Sequence, residues 1–327
     1  MTDANYSNPI TYAQHLGIGQ SYKGTVVHVM KGNTHIGSGV LVNNRRCILT
    51  CDHVIASGGV PLDPVADNIR IVTDNWMTQN GVSIPASYFV RFSGRITAPS
   101  ADNDFALVVL SSDLPGGVPA QISTVSPAVT QIMKLVGGGN QATPTIPSFQ
   151  TGDLIGGQAK ISYVSGQLTT QFFRNSTVPL IYNSNNGDSG GAVVDTLDDP
   201  QNGVIYGIMR YASAPGNNGY TESVNMTLPG NKGWVDSVTS TIPSIPYVPA
   251  VLPELSCEGM GSSNLRLKTN RPSIEEGGEW LLQTSTDFQT WTNSPAVFAP
   301  STPPGFYECV LPIDADKRFF RLKWESD

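Results

Sequence analysis

The sequence predicts an all-β protein, and three observations support this prediction. Short runs rich in Val, Ile and aromatic residues recur along the chain, separated by turn-forming residues. Glycine and proline account for 33 and 24 of the 327 residues, whereas only 14% of the residues are charged. No long segment has helical periodicity. This spacing is typical of a barrel or a sandwich rather than of alternating strands and helices.

The predicted strands follow one another at short intervals. In chain order they are GTVVHVM, GSGVLV, RRCILT, NIRIVT, YFVRFS, FALVVL, MKLVG, AKISYV, TTQFF, GAVVD and VIYGIMRYA. The helix candidate that follows is LPGNKGWVDSVTSTI, with Pro229 near its start and Trp234, Val235 and Val238 on one face. The residues before the first strand are expected to be irregular.

A proline every three or four residues marks the segment 241–256. Because such a segment favours an extended spacer, we place a linker at 243–256 between a first domain, 1–242, and a second, 257–327. The second domain has its own strand pattern, NLRLKT, EWLLQTS, FYECVL and RFFRLKWE, which predicts a small β-sandwich.

The charge and hydropathy patterns exclude two classes of function. The formal net charge is -7 and Lys and Arg form no cluster, so a nucleic-acid partner is not expected. No apolar stretch approaches membrane-spanning length. The first residues, MTDANYSNPITYAQ, show no basic region followed by an apolar core, so no signal peptide is visible. A chain whose leader has been removed would begin in the same way.

The four cysteines fall into two pairs. Cys47 and Cys51 would lie about 13 Å apart on one strand, too far for a disulfide, and are expected to be buried thiols. Cys257 and Cys309 belong to the second domain, and their spacing leaves open whether they are bonded.

The segment NGDSGGAVV, residues 186–194, places three glycines, an acid and Ser189 in five consecutive positions. It predicts either a tight turn or a loop whose backbone approaches another group closely. A serine hydroxyl is a weak nucleophile unless a base, itself held by a third group, removes its proton. The second interpretation therefore requires a histidine and an acid elsewhere in the chain.

One of the four histidines is well placed to act as this base. His53 follows the apolar run CILTC, where a strand gives way to a turn, and a side chain there can project into a cleft. His28 is expected to face solvent on a strand, His35 to lie in a turn, and His15 to lie in the irregular N-terminal segment.

The orienting acid is expected at the start of the apolar strand NDFALVVL. Asp104 is the first candidate, because a carboxylate there is costly to bury unless it accepts hydrogen bonds. Asp102 lies further from the apolar run and ranks second. Asp52 would point away from His53 on an extended chain.

Three motifs resemble those of the trypsin-like, chymotrypsin-fold serine proteases of bacterial type. They are LTCDHVIA, NDFALVVL and NGDSGGAVV, in the family's order of histidine, aspartate and serine. GVIYGIMRYA, NNGYTESV and GNKGWVDSV resemble the strands beside the substrate groove and the closing helix. The resemblance implies two six-stranded antiparallel β-barrels, at about 20–125 and 126–228, and a C-terminal helix at about 230–241.

The same resemblance implies the roles of individual residues. Ser189 is the expected nucleophile, His53 the base and Asp104 the orienting acid. The backbone N–H groups of Gly187 and Ser189 are the expected oxyanion hole. Protein or peptide substrates are implied, and no metal ion or organic cofactor is.

The remaining loop residues carry two further expectations. Gly190 and Gly191 let the loop fold tightly under the nucleophile. In many family members the acid at Asp188 pairs with an N-terminus created by cleavage. Because no plain Ile-Val-Gly-Gly sequence is present, the protein is expected to be active without processing.

The substrate pocket is expected to prefer an uncharged P1 side chain, because Asn183 stands where trypsin has an acid. Arg210 is expected to face outward on its strand; if it pointed into the pocket, an acidic P1 residue would be favoured instead. The residues expected to line the pocket are Asn183, Ser184, Met209, Arg210, Tyr211, Ala212 and Gly219.

The sequence thus predicts a secreted or periplasmic serine endopeptidase with an accessory domain. The alternatives are a non-catalytic binding protein on a protease scaffold and a serine esterase. The C-terminal segment is similar to small β-sandwich modules of secreted or surface bacterial proteins. Its aromatic residues are expected mainly in a core, and its ligand stays open, as does the oligomeric state.

Overall fold

The computed structural model divides the chain into two compact units, residues 1–245 and 246–327. None of its described helices is long and apolar enough to cross a membrane. In the first unit it describes residues 9–57, 59–78, 81–94, 100–140, 151–173, 186–195, 203–213 and 218–245. In the second it describes residues 246–247, 255–259, 264–269, 274–275, 278–286, 290–300, 307–312 and 319–326.

The described part of the first unit includes two helices and fifteen strands. The helices are α1 (Pro9–Ser21) and α2 (Pro229–Thr239). The strands are β1 (Val26–Lys31), β2 (Thr34–Leu41), β3 (Cys47–Thr50), β4 (Ala56–Ser57), β5 (Val60–Pro61), β6 (Ile69–Val72), β7 (Ser83–Arg91), β8 (Ala106–Leu110), β9 (Gln121–Ile122), β10 (Ile132–Gly137), β11 (Ile155–Val164), β12 (Gln167–Phe173), β13 (Ala192–Asp195), β14 (Val204–Ala212) and β15 (Asn218–Asn225). Short 3-10 helices span Asp52–Val54 and Ala101–Asn103.

The strands form two closed barrels. The first runs in the order β1-β2-β3-β8-β7-β6. The second runs β13-β10-β11-β12-β15-β14 and closes through the pairing of β13 with β14, while β9 adds to β14 in parallel. The prediction of an all-β fold with two six-stranded barrels is therefore confirmed.

The pairing of β3 with β8 brings the predicted histidine and acid to one end of the first barrel. Both strands are buried along their whole length, as their uninterrupted apolar sequences require. In the antiparallel register, Thr50 at the end of β3 lies opposite Ala106 at the start of β8. The residues that follow β3 and those that precede β8 therefore emerge together.

The second barrel presents the serine loop from the start of β13. Its core is formed by the buried side chains Met133, Leu135, Ile155, Ala159, Ile161, Leu168, Val193 and Met209. β13 pairs with β10 on one side and β14 on the other, so the end of the preceding loop that enters β13 is attached to a rigid sheet.

The N-terminal residues form helix α1, where the sequence predicted irregular structure. The helix sequence PITYAQHLGIGQS contains two glycines and several β-branched residues, so its intrinsic helix propensity is low. Packing against β11 compensates: the buried His15 ring is 2.7 Å from the Gly156 carbonyl oxygen through Nδ1. A Cβ on Gly19 would lie only 2.0 Å from the Leu154 carbonyl oxygen, so glycine is required there.

The described strands of the C-terminal unit are β16 (Leu255–Gly259), β17 (Asn264–Thr269), β18 (Ile274–Glu275), β19 (Gly278–Ser285), β20 (Thr292–Asn293), β21 (Ala299–Pro300), β22 (Tyr307–Pro312) and β23 (Phe319–Ser326). They form two four-stranded sheets, β16-β17-β22-β21 and β18-β19-β20 with β23 on β19. Leu267, Leu282, Phe298 and Cys309 form a core between described strands of this unit.

Three cysteines, Cys47, Cys51 and Cys309, are free thiols. Cys309 is free and lies two strands away from Cys257, because both are paired with Leu267 of β17. That spacing is about 10 Å, beyond the reach of a disulfide. Cys47 and Cys51 are free and buried, which confirms the expectation from the sequence. Burial raises the pKa of the Cys47 thiol to about 11, so this thiol stays protonated.

Candidate active site

His53 and Asp104 form a hydrogen-bonded pair at the end of β3 and β8. His53 lies in the 3-10 helix that follows β3, and its Nδ1 is 2.8 Å from Asp104 Oδ2. The backbone N–H of His53 also donates to Asp104 Oδ1, at 3.1 Å. The Asp104 side chain is 2% exposed and the imidazole 40% exposed. The acid is therefore buried and satisfied, while the imidazole is open to a substrate.

Aromatic packing holds the chain next to Asp104. Phe105 is fully buried and stacks on Phe92, with ring centroids 4.5 Å apart. Trp234 of α2 packs edge-on against Phe105, at 5.4 Å. The helix that the sequence predicted from its apolar face therefore supports the strand on which the acid lies.

The other two candidate acids have different neighbours. Asp52 is buried and makes a bidentate ion pair with Arg91, at 2.6 and 2.8 Å, so it points away from the His53 ring as expected. Asp102 lies in the second 3-10 helix, with its carboxylate against the backbone of Gly166. Among the three acids, Asp104 is the partner of His53.

The loop before β13 is folded tightly around Ser189. Gly187 and Gly190 have φ values of +94° and +89°, which favour glycine. A Cβ on Gly190 would lie 2.0 Å from the Ser38 carbonyl oxygen. A Cβ on Gly191 would lie 2.5 Å from the Val136 carbonyl oxygen. The sequence analysis expected these glycines to let the loop fold tightly under Ser189. In the structure they allow the loop backbone to lie against strands β2 and β10.

Ser38 of β2 connects the serine loop to both barrels. Its hydroxyl donates to the Gly187 carbonyl at 2.9 Å and accepts from the Gly138 N–H at 3.0 Å. Its backbone N–H donates to the Ser189 carbonyl at 2.8 Å. The sequence analysis did not identify Ser38, because a serine in an apolar strand carries no distinguishing signal.

Asp188 is fully buried and is held by the backbone of the second barrel. Its Oδ1 accepts a hydrogen bond from the Gly139 N–H at 2.8 Å. A Cβ on Gly137 would lie 2.4 Å from the same oxygen, so the glycines after β10 make room for this carboxylate. The acid thus has an internal backbone donor.

Two N–H groups of the loop are available to an incoming oxygen. Within the part of the chain that the structure describes, neither the Gly187 N–H nor the Ser189 N–H donates to a protein acceptor. The neighbouring N–H groups of Gly190 and Gly191 do donate, to the carbonyls of Met209 and Asp188. The unpaired N–H groups are those that the sequence assigned to the oxyanion hole.

The Ser189 hydroxyl donates to the carbonyl oxygen of Arg210, at 3.2 Å. Among the described residues, no hydrogen bond joins it to His53. A hydroxyl can rotate about its Cα–Cβ bond, and catalytic hydrogen bonds are often absent before substrate binds. Arg210, whose carbonyl oxygen accepts this bond from Ser189, also contacts Asp104 through its side chain.

Arg210 of β14 points at Asp104. Its Nε donates to Asp104 Oδ2 at 3.1 Å, and its Nη1 donates to Glu222 Oε2 at 3.1 Å. The expectation of an outward-facing side chain was therefore wrong. The reason is a β-bulge: Met209 pairs with Ser223 and Tyr211 with Glu222, which leaves Arg210 as the extra residue.

The other predicted pocket residues are only partly within the described chain. Asn183 and Ser184 lie outside it. Met209 is fully buried in the core of the second barrel, because the bulge leaves it on the inner face. Tyr211 is 49% exposed on β14, beside the partly buried Ala212, and Gly219 lies on β15.

Two histidines beside the serine loop have environments that the sequence did not predict. His28 is fully buried instead of facing solvent, and His35 lies on strand β2 instead of in a turn. His28 Nδ1 is 3.3 Å from His35 Nε2, and the His35 ring stacks on Trp76. A Cβ on Gly187 would lie 3.0 Å from the His35 ring, so this pair contacts the candidate oxyanion loop.

Cys51, His53 and Asp104 each offer a ligand atom, and these atoms lie within 4.8 Å of one another. The Arg210 guanidinium already bonds Asp104 Oδ2, where a metal cation would be repelled. The Cys51 thiol donates to the Met209 carbonyl at 3.1 Å. We therefore assign no metal to this cluster.

A family model described as the trypsin-like peptidase domain matches residues 37–200, half of the chain. The chain therefore belongs to the trypsin-like peptidase family, as its motifs indicated. No curated protein sequence matches it.

Two solved structures show the same fold. One is neuropsin, a serine protease expressed in the limbic system of mouse brain, with 16% identity and a TM-score of 0.51 over 67% of this chain and 96% of that one. The other is human heparin binding protein, with 14% identity and a TM-score of 0.51 over 69% of this chain and 96% of that one. At these identities the likeness establishes the chymotrypsin fold.

Proposed function

We propose that this protein is a serine endopeptidase that cleaves peptide bonds through a Ser-His-Asp triad and an acyl-enzyme. The observation that carries the proposal is the contact of one residue with both halves of the site. The Arg210 side chain bonds Asp104, and its carbonyl accepts from Ser189. The His53–Asp104 pair of one barrel and the serine loop of the other therefore meet at one point.

The proposed chemistry assigns one role to each group. Ser189 Oγ attacks the scissile carbonyl carbon while His53 Nε2 takes the hydroxyl proton. The N–H groups of Gly187 and Ser189 stabilise the resulting oxyanion. His53 then gives the proton to the leaving amine, the C–N bond breaks, and an acyl-enzyme forms. Water, deprotonated by His53, hydrolyses this ester and restores the serine.

Asp104 supports this cycle by holding the imidazole. Its Oδ2 lies 2.8 Å from His53 Nδ1, so it fixes the proton on that nitrogen and leaves Nε2 free to act as the base. Ser189 must exchange its bond to the Arg210 carbonyl for one to His53, a rotation of a single side-chain torsion.

We further propose that the unprocessed chain is active. The Asp188 carboxylate is buried and accepts from the Gly139 N–H, so the loop has an internal donor where other family members use a cleaved terminus. Activity would then need no proteolytic trimming.

The second candidate is a binding protein on a protease scaffold. The specific observation that favours it is the Ser189 hydroxyl, which donates to a carbonyl instead of to His53. One structural neighbour is named for binding heparin.

Labelling with a fluorophosphonate, read by intact-mass spectrometry, tests the proposal against this alternative. A single adduct is expected on the untrimmed chain of 327 residues, and none on the Ser189→Ala variant, because only an activated serine with a formed oxyanion hole reacts. The same spectrum reports whether the labelled chain is untrimmed. No adduct on folded wild-type protein would favour the binding role. An adduct only on trimmed chains would contradict activity without processing.

The P1 preference is proposed to be for uncharged side chains. Arg210 is bound to both Asp104 and Glu222, so it offers no free cation to an acidic P1 residue. A fluorogenic library that varies only P1 is expected to show the fastest cleavage after uncharged residues. Fastest cleavage after Glu or Asp, or after Lys or Arg, would contradict the proposal.

A further inference from the structure

We propose that Arg210 and Glu222 form a charge pair that positions Asp104 and sets the pH at which the His53 base becomes active. This inference rests on the proposed function. Arg210 would be a positioning residue, because it contacts the acid of the triad rather than the reacting atoms.

The donors around Asp104 hold its carboxylate in one orientation. Its carboxylate accepts from the His53 backbone N–H on Oδ1, and from His53 Nδ1 and Arg210 Nε on Oδ2. A carboxylate only 2% exposed is costly to keep ionised without such donors. The guanidinium is charged at every pH of interest, so it gives this carboxylate a permanent opposite charge and fixes its orientation.

A β-bulge in β14 directs the Arg210 side chain toward Asp104. Arg210 is the extra residue of a β-bulge, and bulges redirect side chains next to functional sites. The bulge is held from both barrels, because the Met209 carbonyl accepts from the Cys51 thiol and the Arg210 carbonyl accepts from Ser189. The guanidinium is therefore delivered to Asp104 by a fixed piece of backbone.

The charges of Arg210 and Glu222 have opposite effects on the His53–Asp104 pair. A cation 3.1 Å from Asp104 weakens the attraction that this carboxylate exerts on a protonated His53. Glu222, bonded to the other end of the guanidinium at 3.1 Å, offsets part of that cation. Removing Arg210 and removing Glu222 should therefore move the protonation of His53 in opposite directions.

Three other ionisable side chains near Arg210 and Glu222 make contacts of their own. Asp52 on the His53 side is neutralised by its bidentate bond to Arg91. Cys51 donates its thiol proton to a carbonyl. Asp102, in the 3-10 helix before Asp104, faces the turn at Gly166. Within the described residues, Arg210 is bonded to the acid of the triad, and Glu222 is bonded to Arg210.

The test compares Arg210→Met and Glu222→Gln with the wild type by measuring kcat and KM on a peptide substrate across pH. Arg210→Met is expected to lower kcat about 10- to 100-fold with KM within about twofold, because the loss is of positioning. Its acid limb of kcat/KM should move to higher pH by about one unit. Glu222→Gln should move that limb to lower pH, and the double variant should bring it back toward the wild-type position.

Arg210→Lys separates the effect of the charge at position 210 from the effect of the side-chain geometry. Arg210→Lys retains the charge, so its acid limb should stay near that of the wild type while kcat falls. If Arg210→Met does not fold, Arg210→Lys and Glu222→Gln can still be compared, because only Glu222→Gln should move the acid limb. An active wild type whose acid limb is unmoved by Glu222→Gln would overturn this inference alone. A wild type that neither cleaves peptides nor reacts with a fluorophosphonate would overturn the proposed function and this inference together.

Discussion

Replacing Asp104 by Asn is expected to lower kcat by about 10⁴-fold while the protein stays folded. The asparagine keeps the shape of the side chain but can present an N–H to His53 Nδ1 where the carboxylate presents an acceptor. The imidazole would then carry its proton on Nε2, and Ser189 would lose its base. The magnitude is the general one for serine protease triads and does not come from the distances in this structure.

Asp102→Asn is the matched control for this variant. Asp102 lies two residues away, in the 3-10 helix 101–103, and its carboxylate faces Gly166 instead of His53. Its replacement is expected to change kcat by no more than about threefold. A larger loss in Asp102→Asn than in Asp104→Asn would show that the wrong acid has been assigned.

Combining Asp104→Asn with Ser189→Ala adds a second check. Groups that act as one catalytic unit show non-additive losses, so the double variant should be no slower than Ser189→Ala alone. Circular dichroism and thermal denaturation of each variant would establish that the fold is retained. Additive losses would mean that Asp104 acts independently of the serine.

Much of the site could be predicted because its signals are local. The apolar runs of β3 and β8 are buried strands, and the residues at their adjoining ends are His53 and Asp104. The glycines around Ser189 are needed for positive φ and close packing, which a sequence displays directly. The order of the histidine, aspartate and serine motifs along the chain then indicated the family.

What could not be predicted depends on long-range geometry. The bulge that turns Arg210 toward Asp104 arises from the pairing of β14 with β15, and a strict two-residue alternation points this side chain elsewhere. Helix α1 depends on packing against β11 to overcome a weak helical sequence. In both cases tertiary structure overrides the local preference.

The histidines show the same limit. His28 was expected on the solvent face of β1, yet it is fully buried, because the backbone at Gly138 closes over it. A Cβ on Gly138 would lie 2.2 Å from the His28 ring. Only the approach of the second barrel to the first creates this environment, and a periodicity within one strand does not contain it.

The pair formed by the fully buried His28 and the partly buried His35 is expected to make the protein lose stability in mild acid. Burial lowers the pKa of His35 to about 4, from an ordinary value of 6.5. Burial, and then the neighbouring charge of His35, lower the pKa of His28 well below the ordinary value. Both rings are therefore neutral in the folded protein at neutral pH, and protonating them is opposed by the fold.

The direction of the effect follows from proton binding. Between about pH 6.5 and 4 the unfolded chain takes up protons on these residues that the folded protein does not. The stabilising contribution is therefore complete above pH 6.5 and is lost as the pH falls through that window. For His35 alone the loss is on the order of 3 kcal/mol at pH 4, at about 1.4 kcal/mol per unit of pKa.

Urea denaturation at pH 7 and pH 4.5 measures this loss in the wild type and in His35→Phe, which keeps an aromatic ring against Trp76. Carboxylates in general also contribute to acid sensitivity, so the quantity compared is the fall in unfolding free energy between the two pH values within each protein. The wild type should fall by about 2 kcal/mol more than His35→Phe. Thr34→Val, an exposed change on the same strand, should behave as the wild type.

The same experiment bears on function, because the His35 ring lies against Gly187 of the candidate oxyanion loop. Protonation of His35 should displace that loop before the rest of the barrel unfolds, so fluorophosphonate labelling of Ser189 should decline over the same pH window. In His35→Phe the labelling should decline less steeply with pH. An identical pH dependence of stability in the wild type and His35→Phe would refute the assignment of the acid sensitivity to this pair.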